Sequence, residues 1–350
     1  MFDVAIVGAG VAGSVAAIAL APTHSVVLID KQAEPSQRIG ECLPPAARRI
    51  LHRLDLLEAF NRQPHLPSQG MQSYWGSEHA QIVDHIRNPD GFGWHLDRQK
   101  FELFLRESAH QRGVECIWPA RLVSSQDTDE YWDITLDTAH RVQAKFLMDA
   151  GGRQSPFARL QGIQREQTDK LIACWAMLPD DTQHRMAVLS ATKTGWWYSA
   201  SVPDNKRVIA FQTDSDQVNS EVKKDPDALI ELALTCPAMA RLLARLDDTS
   251  SVHGGVSAAN SARLTQVAGY RWAALGDAAL SFDPLSSQGM FNAMASAMQL
   301  VDLMQTGKNV ALEYKRQIEN IWQYYLIHKN TFYRQENRWK DSPFWKRRHQ

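Results

Sequence analysis

The sequence predicts an α/β fold in which a discontinuous nucleotide-binding domain carries an inserted antiparallel sheet and ends in a C-terminal helical segment. Three observations predict it. An apolar run, Phe2 to Val7, feeds directly into the glycine turn Gly8-Ala9-Gly10-Val11-Ala12-Gly13. Two later apolar runs end in comparable turns, one at Asp149-Ala150-Gly151-Gly152 and one, from Trp272 to Leu275, at Gly276-Asp277. Between them lie short alternating runs bounded by Gly, Pro, Asp or Asn, the pattern of half-buried strands.

The first unit can be justified element by element. Phe2 to Val7 suits a parallel strand buried on both faces. A helix rich in alanine is predicted from about Val11 to Leu20, and Ser25 to Ile29 supplies a second strand that ends at Asp30. Gly8 permits the tight turn, Gly10 lets backbone approach a pyrophosphate, and Gly13 lets the helix pack on the sheet. The helix N-terminus then faces the phosphates. Asp30 is placed to accept hydrogen bonds from a ribose hydroxyl. Strand, turn, helix, strand and acid in this order select a dinucleotide site over a packing turn, without separating FAD from NAD.

No Asp, Glu, Lys or Arg occurs from Val4 to Ile29. Asp3 in place of a basic start, the spaced glycines and the breaker Pro22-Thr23-His24 argue against a membrane span or signal peptide there. The 350 residues are 44% hydrophobic and 22% charged, with a formal net charge of -1. That balance provides no bulk attraction to nucleic acid or an anionic membrane, and neither is expected as a partner. Cys42, Cys116, Cys174 and Cys236 form no Cys-x-x-Cys pair. No metal site or disulfide framework is therefore expected, and a reducing, cytoplasmic setting is the simplest expectation.

Two later motifs carry a resemblance to the p-hydroxybenzoate hydroxylase-like flavoproteins. Lys145-Phe146-Leu147-Met148-Asp149-Ala150-Gly151-Gly152-Arg153, continuing through Ser155 to Arg159, resembles their aspartate-glycine motif. In that family the segment lies near the FAD pyrophosphate and is implicated in NAD(P)H use. Ala150 stands where the hydroxylases carry glycine, so NAD(P)H and a separate flavin reductase both stay open as electron source. Gly276-Asp277-Ala278-Ala279, then Asp283-Pro284, then Gly289-Met290-Phe291-Asn292 resembles the second FAD motif. There the aspartate binds the ribityl chain, the proline packs beside the ring, and backbone N–H groups after the glycine face the pyrimidine edge. Gly40-Glu41 resembles the turn beside the isoalloxazine and Asp97-Arg98 the FAD-contacting arginine; Lys31 and Arg38 complete the expected set.

The resemblance implies FAD as cofactor, held by a Rossmann-like FAD-binding domain of residues 1–62, 98–165 and 250–305. Residues 63–97 and 166–249 then form the substrate domain, and 306–350 the C-terminal helical segment. Within the substrate domain, Tyr74 to His95, Leu171 to Leu178, Met186 to Thr192, Trp196 to Val202 and Arg207 to Thr213 are predicted strands of a sheet over the flavin. Asp225 to Arg245 is a predicted helical stretch with a cap-like start at Asp225-Pro226 and a break at Pro237.

Gly195-Trp196-Trp197-Tyr198, ending at Pro203, is similar to the tryptophan-x-tryptophan-x-isoleucine-proline signature of flavin-dependent tryptophan halogenases, with different spacing. Pro284 to Gly289 matches their loop, but Ser286 stands at their catalytic glutamate and Gln288 at their halide-binding threonine. They also need a lysine after the glycine-glutamate turn, and none occurs from Cys42 to Gln99. A likeness covering nearly the whole chain is to the short LodB/GoxB-type flavoproteins, which mature the quinone cofactor of partner amino-acid oxidases by hydroxylating a tryptophan side chain. It rests on Gly40-Glu41 with Pro44-Pro45-Ala46, the Gly195-Trp196-Trp197-Tyr198 strand, the Gly276 to Gly289 segment and the tail Ser342-Pro343-Phe344-Trp345. It implies an FAD-dependent monooxygenase that uses O2 and acts on a protein-bound tryptophan of a precursor of a quinone-dependent amino-acid oxidase. A reductase or hydroxylase of a free isoprenoid or phenol, and a non-catalytic FAD-bound maturation partner, stay open.

No residue is singled out as a general base; His95, Trp197 and Asp283 are the pocket candidates. Trp196 and Trp197 could stack an aromatic substrate or fill core. From Val310 to Gln350 the chain is predicted to be helical and then basic-aromatic, with nine Lys/Arg against four Asp/Glu. A helix packed on the body with a solvated face is expected there.

Overall fold

The computed structural model describes residues 1–85, 88–182, 184–250 and 253–349. Positions 86–87 and 183 of the expected substrate domain, 251–252 of the expected FAD-binding domain and 350 of the C-terminal segment lie outside the described residues.

Uncharged runs rich in Val and Ile form the centre of a mixed sheet. Its parallel strands run in the order Trp272–Ala274, Arg141–Asp149, Phe2–Val7, Val26–Ile29 and Glu115–Ile117. Val4 lies opposite both Phe146 and Val26, which sets the register of the three inner strands. Ser25, predicted to open the second strand, lies just before it, where its hydroxyl donates to Asp3. The helix Val11–Leu20 spans the predicted residues and packs against the helices Arg98–Gln111 and Gly289–Met304. Its alanines allow this close packing, since a helix with almost every position buried has no room for long side chains.

A second, seven-stranded sheet runs His253–Ala258, Leu171–Pro179, Lys206–Asp214, Gly195–Val202, Met186–Thr192, Gly70–Tyr74 and Gln81–Asp84. Every pairing is antiparallel except that of Met186–Thr192 with Gly70–Tyr74. Two details differ from the sequence reading. His253–Ala258, assigned above to the FAD-binding segment, adds instead to the open edge of Leu171–Pro179. Gly93–His95 leaves the alternating stretch to pair with Cys42–Leu43 and Leu66–Ser68 in a small separate sheet. Both are long-range pairings, decided by which edge is free and not by local pattern.

Helices Pro226–Leu234 and Pro237–Leu243 cover one face of this sheet, burying Trp197, Phe211, Leu229 and Met239 together. Asp225 caps the first by accepting from the Asp227 N–H, and Pro237 opens the second because its missing N–H costs nothing in a first turn. The chain then ends in the helix Val310–Gln335 and the short helix Pro343–Lys346. Phe344 and Trp345 are completely buried, and the Trp345 ring meets Trp75 edge-on at 5.3 Å. Arg347 and Arg348 pair with Asp214 and Asp216, so this basic charge is neutralised within the chain. Among the described residues no helix is long and apolar enough to cross a membrane.

Because Trp345 fills core that nothing else can fill, Trp345→Ala should lower the unfolding free energy by about 3–5 kcal/mol in denaturant titration. An unchanged midpoint would show that the tail is dispensable to the core.

Candidate active site

The C-terminal ends of the strands Phe2–Val7, Val26–Ile29 and Arg141–Asp149 open on one cavity of about 720 Å³, the place where a parallel α/β sheet receives its ligand. The glycine turn is built for it. Gly8 has φ +111, and a Cβ there would lie 2.3 Å from the Ala150 carbonyl oxygen; one on Gly13 would lie 1.8 Å from the Gly8 oxygen. These two glycines let turn, helix and neighbouring loop close on one another. Gly10 differs: a Cβ there would meet nothing nearer than Arg38 Nη2 at 3.8 Å, and the residue lines the cavity. Its missing side chain leaves space on the ligand side.

Two helices start at this cavity, Val11–Leu20 and Gly289–Met304, and neither has a side-chain cap. Their first-turn N–H groups lack helix partners and favour an anionic ligand. Asp30 lines the cavity and also braces the turn, accepting from Ala9 N–H at 2.7 Å and facing Arg106 Nη2 at 3.2 Å. Lys31 donates to Gln154 at 2.9 Å across the mouth of the same region. Arg38 and Arg98 converge on Glu102, at 2.5 and 3.0 Å. Burial pushes the Glu102 carboxyl up, but the Arg98 and Arg38 guanidiniums outweigh it and hold it below the usual carboxylate range. Glu41 turns back to accept from the Gly40 N–H at 3.0 Å.

Asp277, Pro284, Gly289 and Met290 line the cavity, with Arg153 Nε 3.7 Å from the Asp277 carboxylate. Gly13, Gly276 and Asn292 stand behind its wall. So does Asp149, nominated above as a cofactor contact. It is fully buried, accepting from the N–H groups of Gly151 and Ala158 at 3.0 Å each, and burial pushes its pKa up to about 6. It shapes the loop that lines the cavity without touching the cavity itself.

Two pocket candidates are corrected. Trp197 points away from the cavity into the helix-covered core, 4.7 Å from the Phe211 ring. Successive strand residues face opposite sides, so Trp196 and Tyr198 line the cavity in its place. His95 lies outside the lining; burial drives its pKa down to about 4, leaving a neutral imidazole. The third candidate, Asp283, does line the cavity. Beside Trp196 and Tyr198 the sheet contributes Ala173, Val208 and Ala210, whose small size leaves room over an apolar floor.

Sequence reasoning missed Glu102 and Arg106, and it left open which residues of the strand holding Trp196 and Tyr198 face the cavity. Strand parity carried a signal for the last two once the buried face was known, and Glu102 stands one helical turn after Arg98.

Gly10→Val should fold with a near-normal melting temperature yet bind FAD at least tenfold more weakly by flavin fluorescence quenching, whereas Gly13→Val should fail to fold; equal FAD affinity in Gly10→Val would remove the cradle. A second expectation concerns Asp149, whose folded pKa is raised above the ordinary 3.8. The fold then holds an extra proton between about pH 4 and 6, so this group's contribution to stability falls as pH rises through that window. Asp149→Asn should gain relative to wild type by on the order of 2–3 kcal/mol between pH 4 and 7 in paired urea titrations. A flat difference would refute the shift.

The sequence profile of a family described as FAD binding domain matches residues 1–306. A protein named FAD-dependent oxidoreductase LodB, from Marinomonas mediterranea, is 28% identical over 99% of this chain and 97% of its own length. The flavin-dependent halogenase armH5 of Armillaria mellea is 25% identical over 84% of this chain, which spans only 62% of that protein. Among solved structures, the flavin-dependent halogenase CmlS superposes with a TM-score of 0.87 at 24% identity, covering 99% of this chain and 67% of its own. The peptidyl tryptophan dihydroxylase QhpG, described as essential for tryptophylquinone cofactor biogenesis, superposes with a TM-score of 0.80 at 21% identity, covering 99% and 78%. At these identities the superpositions establish a shared fold. With the profile match running through the glycine turn, the Asp149 loop and the Gly276 to Gly289 segment, this chain belongs to the FAD binding domain family of FAD-dependent oxidoreductases.

Proposed function

We propose that this chain is an FAD-dependent monooxygenase that hydroxylates an aromatic ring, and that the ring is a tryptophan side chain in the precursor of a quinone-dependent amino-acid oxidase. The observation that carries the reading is the single cavity in which a glycine cradle with two uncapped helix N-termini continues into an apolar floor flanked by Trp196 and Tyr198. The near full-length likeness to LodB and the fold shared with a peptidyl tryptophan dihydroxylase support the choice of substrate. Ser286 and Gln288 argue against halogenation, as does the stretch without lysine from Cys42 to Gln99.

Bound FAD, reduced by NAD(P)H or a separate flavin reductase, supplies oxygen-transfer chemistry from O2. The chain's own residues then have separable tasks. The Gly10 backbone and the N-terminus of Val11–Leu20 hold the pyrophosphate, with Lys31, Arg38 and Arg98 as cationic neighbours. Asp30 and Asp277 accept hydroxyl hydrogens along the ribose and ribityl chains. The uncapped N-terminus of Gly289–Met304 stabilises negative charge on the ring system. Ala173, Val208 and Ala210 admit a planar ring between Trp196 and Tyr198 and keep water away from it.

Co-expression with candidate oxidase precursors tests the reading by intact mass. A precursor should gain oxygen only when this protein is present, and the gain should vanish with Gly10→Val. Unmodified precursors alongside oxygen gain in a free phenol would move the activity to small molecules. Maturation that persists without bound FAD would leave a binding role alone.

A further inference from the structure

The family match stops at residue 306, yet a side chain well beyond it reaches the wall of the cavity. Tyr333, on the helix Val310–Gln335, is almost fully buried and donates its O–H to Asp283 Oδ2 at 2.8 Å. Its oxygen accepts in turn from the Trp196 indole N–H at 3.1 Å. Asp283 Oδ1 accepts from the Leu285 N–H at 2.9 Å. Each carboxylate oxygen has two acceptor positions and one accounted partner, so Asp283 keeps acceptor capacity at the cavity wall.

We propose that Asp283 accepts a hydrogen bond from the ring N–H of the substrate, and that Tyr333 is the positioning residue that fixes the carboxylate. The proposal rests on the aromatic-substrate reading above and names the group that recognises the ring. Indole is the class it fits: a planar ring lying against Trp196 with one donor at its edge. A carboxylate accepting that N–H enriches the ring in electron density, as electrophilic oxygen transfer requires. Among the described residues, no other carboxylate of the lining is held by an aromatic hydroxyl from the C-terminal segment.

The surroundings of Asp283 bear on its ionisation from several elements. Burial is the largest influence and pushes its pKa up. Lys329 opposes it, and Asp169, which pairs with Lys329 at 2.6 Å, adds to it. The Tyr325 hydroxyl accepts from the Asp283 N–H at 2.8 Å, and Arg348 lies 5.2 Å from the centre of the Tyr333 ring. Tyr333 favours the ionised form, so its removal should raise the pH at which the acceptor appears.

The test uses the full-length FAD-loaded protein and the flavin absorbance change on titration with N-acetyltryptophanamide and with its benzothiophene analogue, in which sulfur replaces the ring N–H. Wild type should prefer the indole by about tenfold or more, the scale of a hydrogen bond to a charged group. Asp283→Ala should reduce the preference to about one. Tyr333→Phe should keep it at high pH but move its appearance to higher pH. Equal binding of both probes to wild type, or full preference in Asp283→Ala, overturns the assignment of Asp283. An unmoved pH midpoint in Tyr333→Phe overturns the role of Tyr333, and that variant decides the question if Asp283→Ala loses FAD. Absence of any flavin response to either probe would instead sink the aromatic-substrate reading, and this inference with it.

Discussion

The close approach of three backbone segments at Gly8, Gly13 and Ala150 is the constraint on which the rest of the structure depends. A side-chain carbon at either glycine would sit well inside the contact distance of a carbonyl oxygen. With both absent, the helix Val11–Leu20 begins directly against the sheet, and the loop after Arg141–Asp149 closes beside it. Charged groups then fix what the glycines allow. Asp30 holds the Ala9 amide, Arg106 holds the Ala9 carbonyl at 3.0 Å, and Asp149 holds two amides of the neighbouring loop. The cavity is a consequence of this packing, since strand ends and helix starts must face a common space.

How much of this was legible in the sequence depended on range. The first unit was read almost to the residue because strand, turn and helix are each specified by neighbours, and the acid after the second strand weighed against a packing turn at Gly8, Gly10 and Gly13. Asp149 was placed on the correct loop but on the wrong side of it. Its neighbours could not reveal that its carboxylate turns away from the cavity to the amides of Gly151 and Ala158 and is fully buried there. The adjacent tryptophans pose the same problem in a strand. Alternation requires that one face each way, and which one meets the cavity depends on helices some thirty residues later that cover the Trp197 side. Arg106 and Glu102 sit on a helix whose sequence reads as an ordinary amphipathic surface, although both are buried.

The C-terminal segment supplies what the family profile does not describe, and it is bound to the second sheet. Trp345 donates its N–H to the Thr192 carbonyl at 2.8 Å, and Arg348 grips Asp214 at 2.7 Å, so the tail is fastened to two strands of the second sheet, one of which carries Val208 and Ala210 of the floor. Such buried ion pairs add little net stability but are costly to break singly, which makes them effective at holding one arrangement. The matched nucleotide-binding body is thus joined to a segment beyond it, whose Tyr325 and Tyr333 hold Asp283 at the cavity wall.

The two uncapped helices that begin at the cavity have a thermodynamic consequence for the whole molecule. Each presents roughly half a positive charge at its N-terminus, while Arg38, Arg98 and Arg106 close by are already paired with Glu102 and Asp30. Empty, the cavity gathers like-signed ends around solvent; filled by an anion, it gathers them around a shared counter-charge. Folding and flavin supply are therefore one linked equilibrium: a hundredfold excess of ligand over its dissociation constant adds about 2.7 kcal/mol to the folded state. A shortage of flavin would therefore narrow the margin of the folded state by up to that amount as well as stopping catalysis.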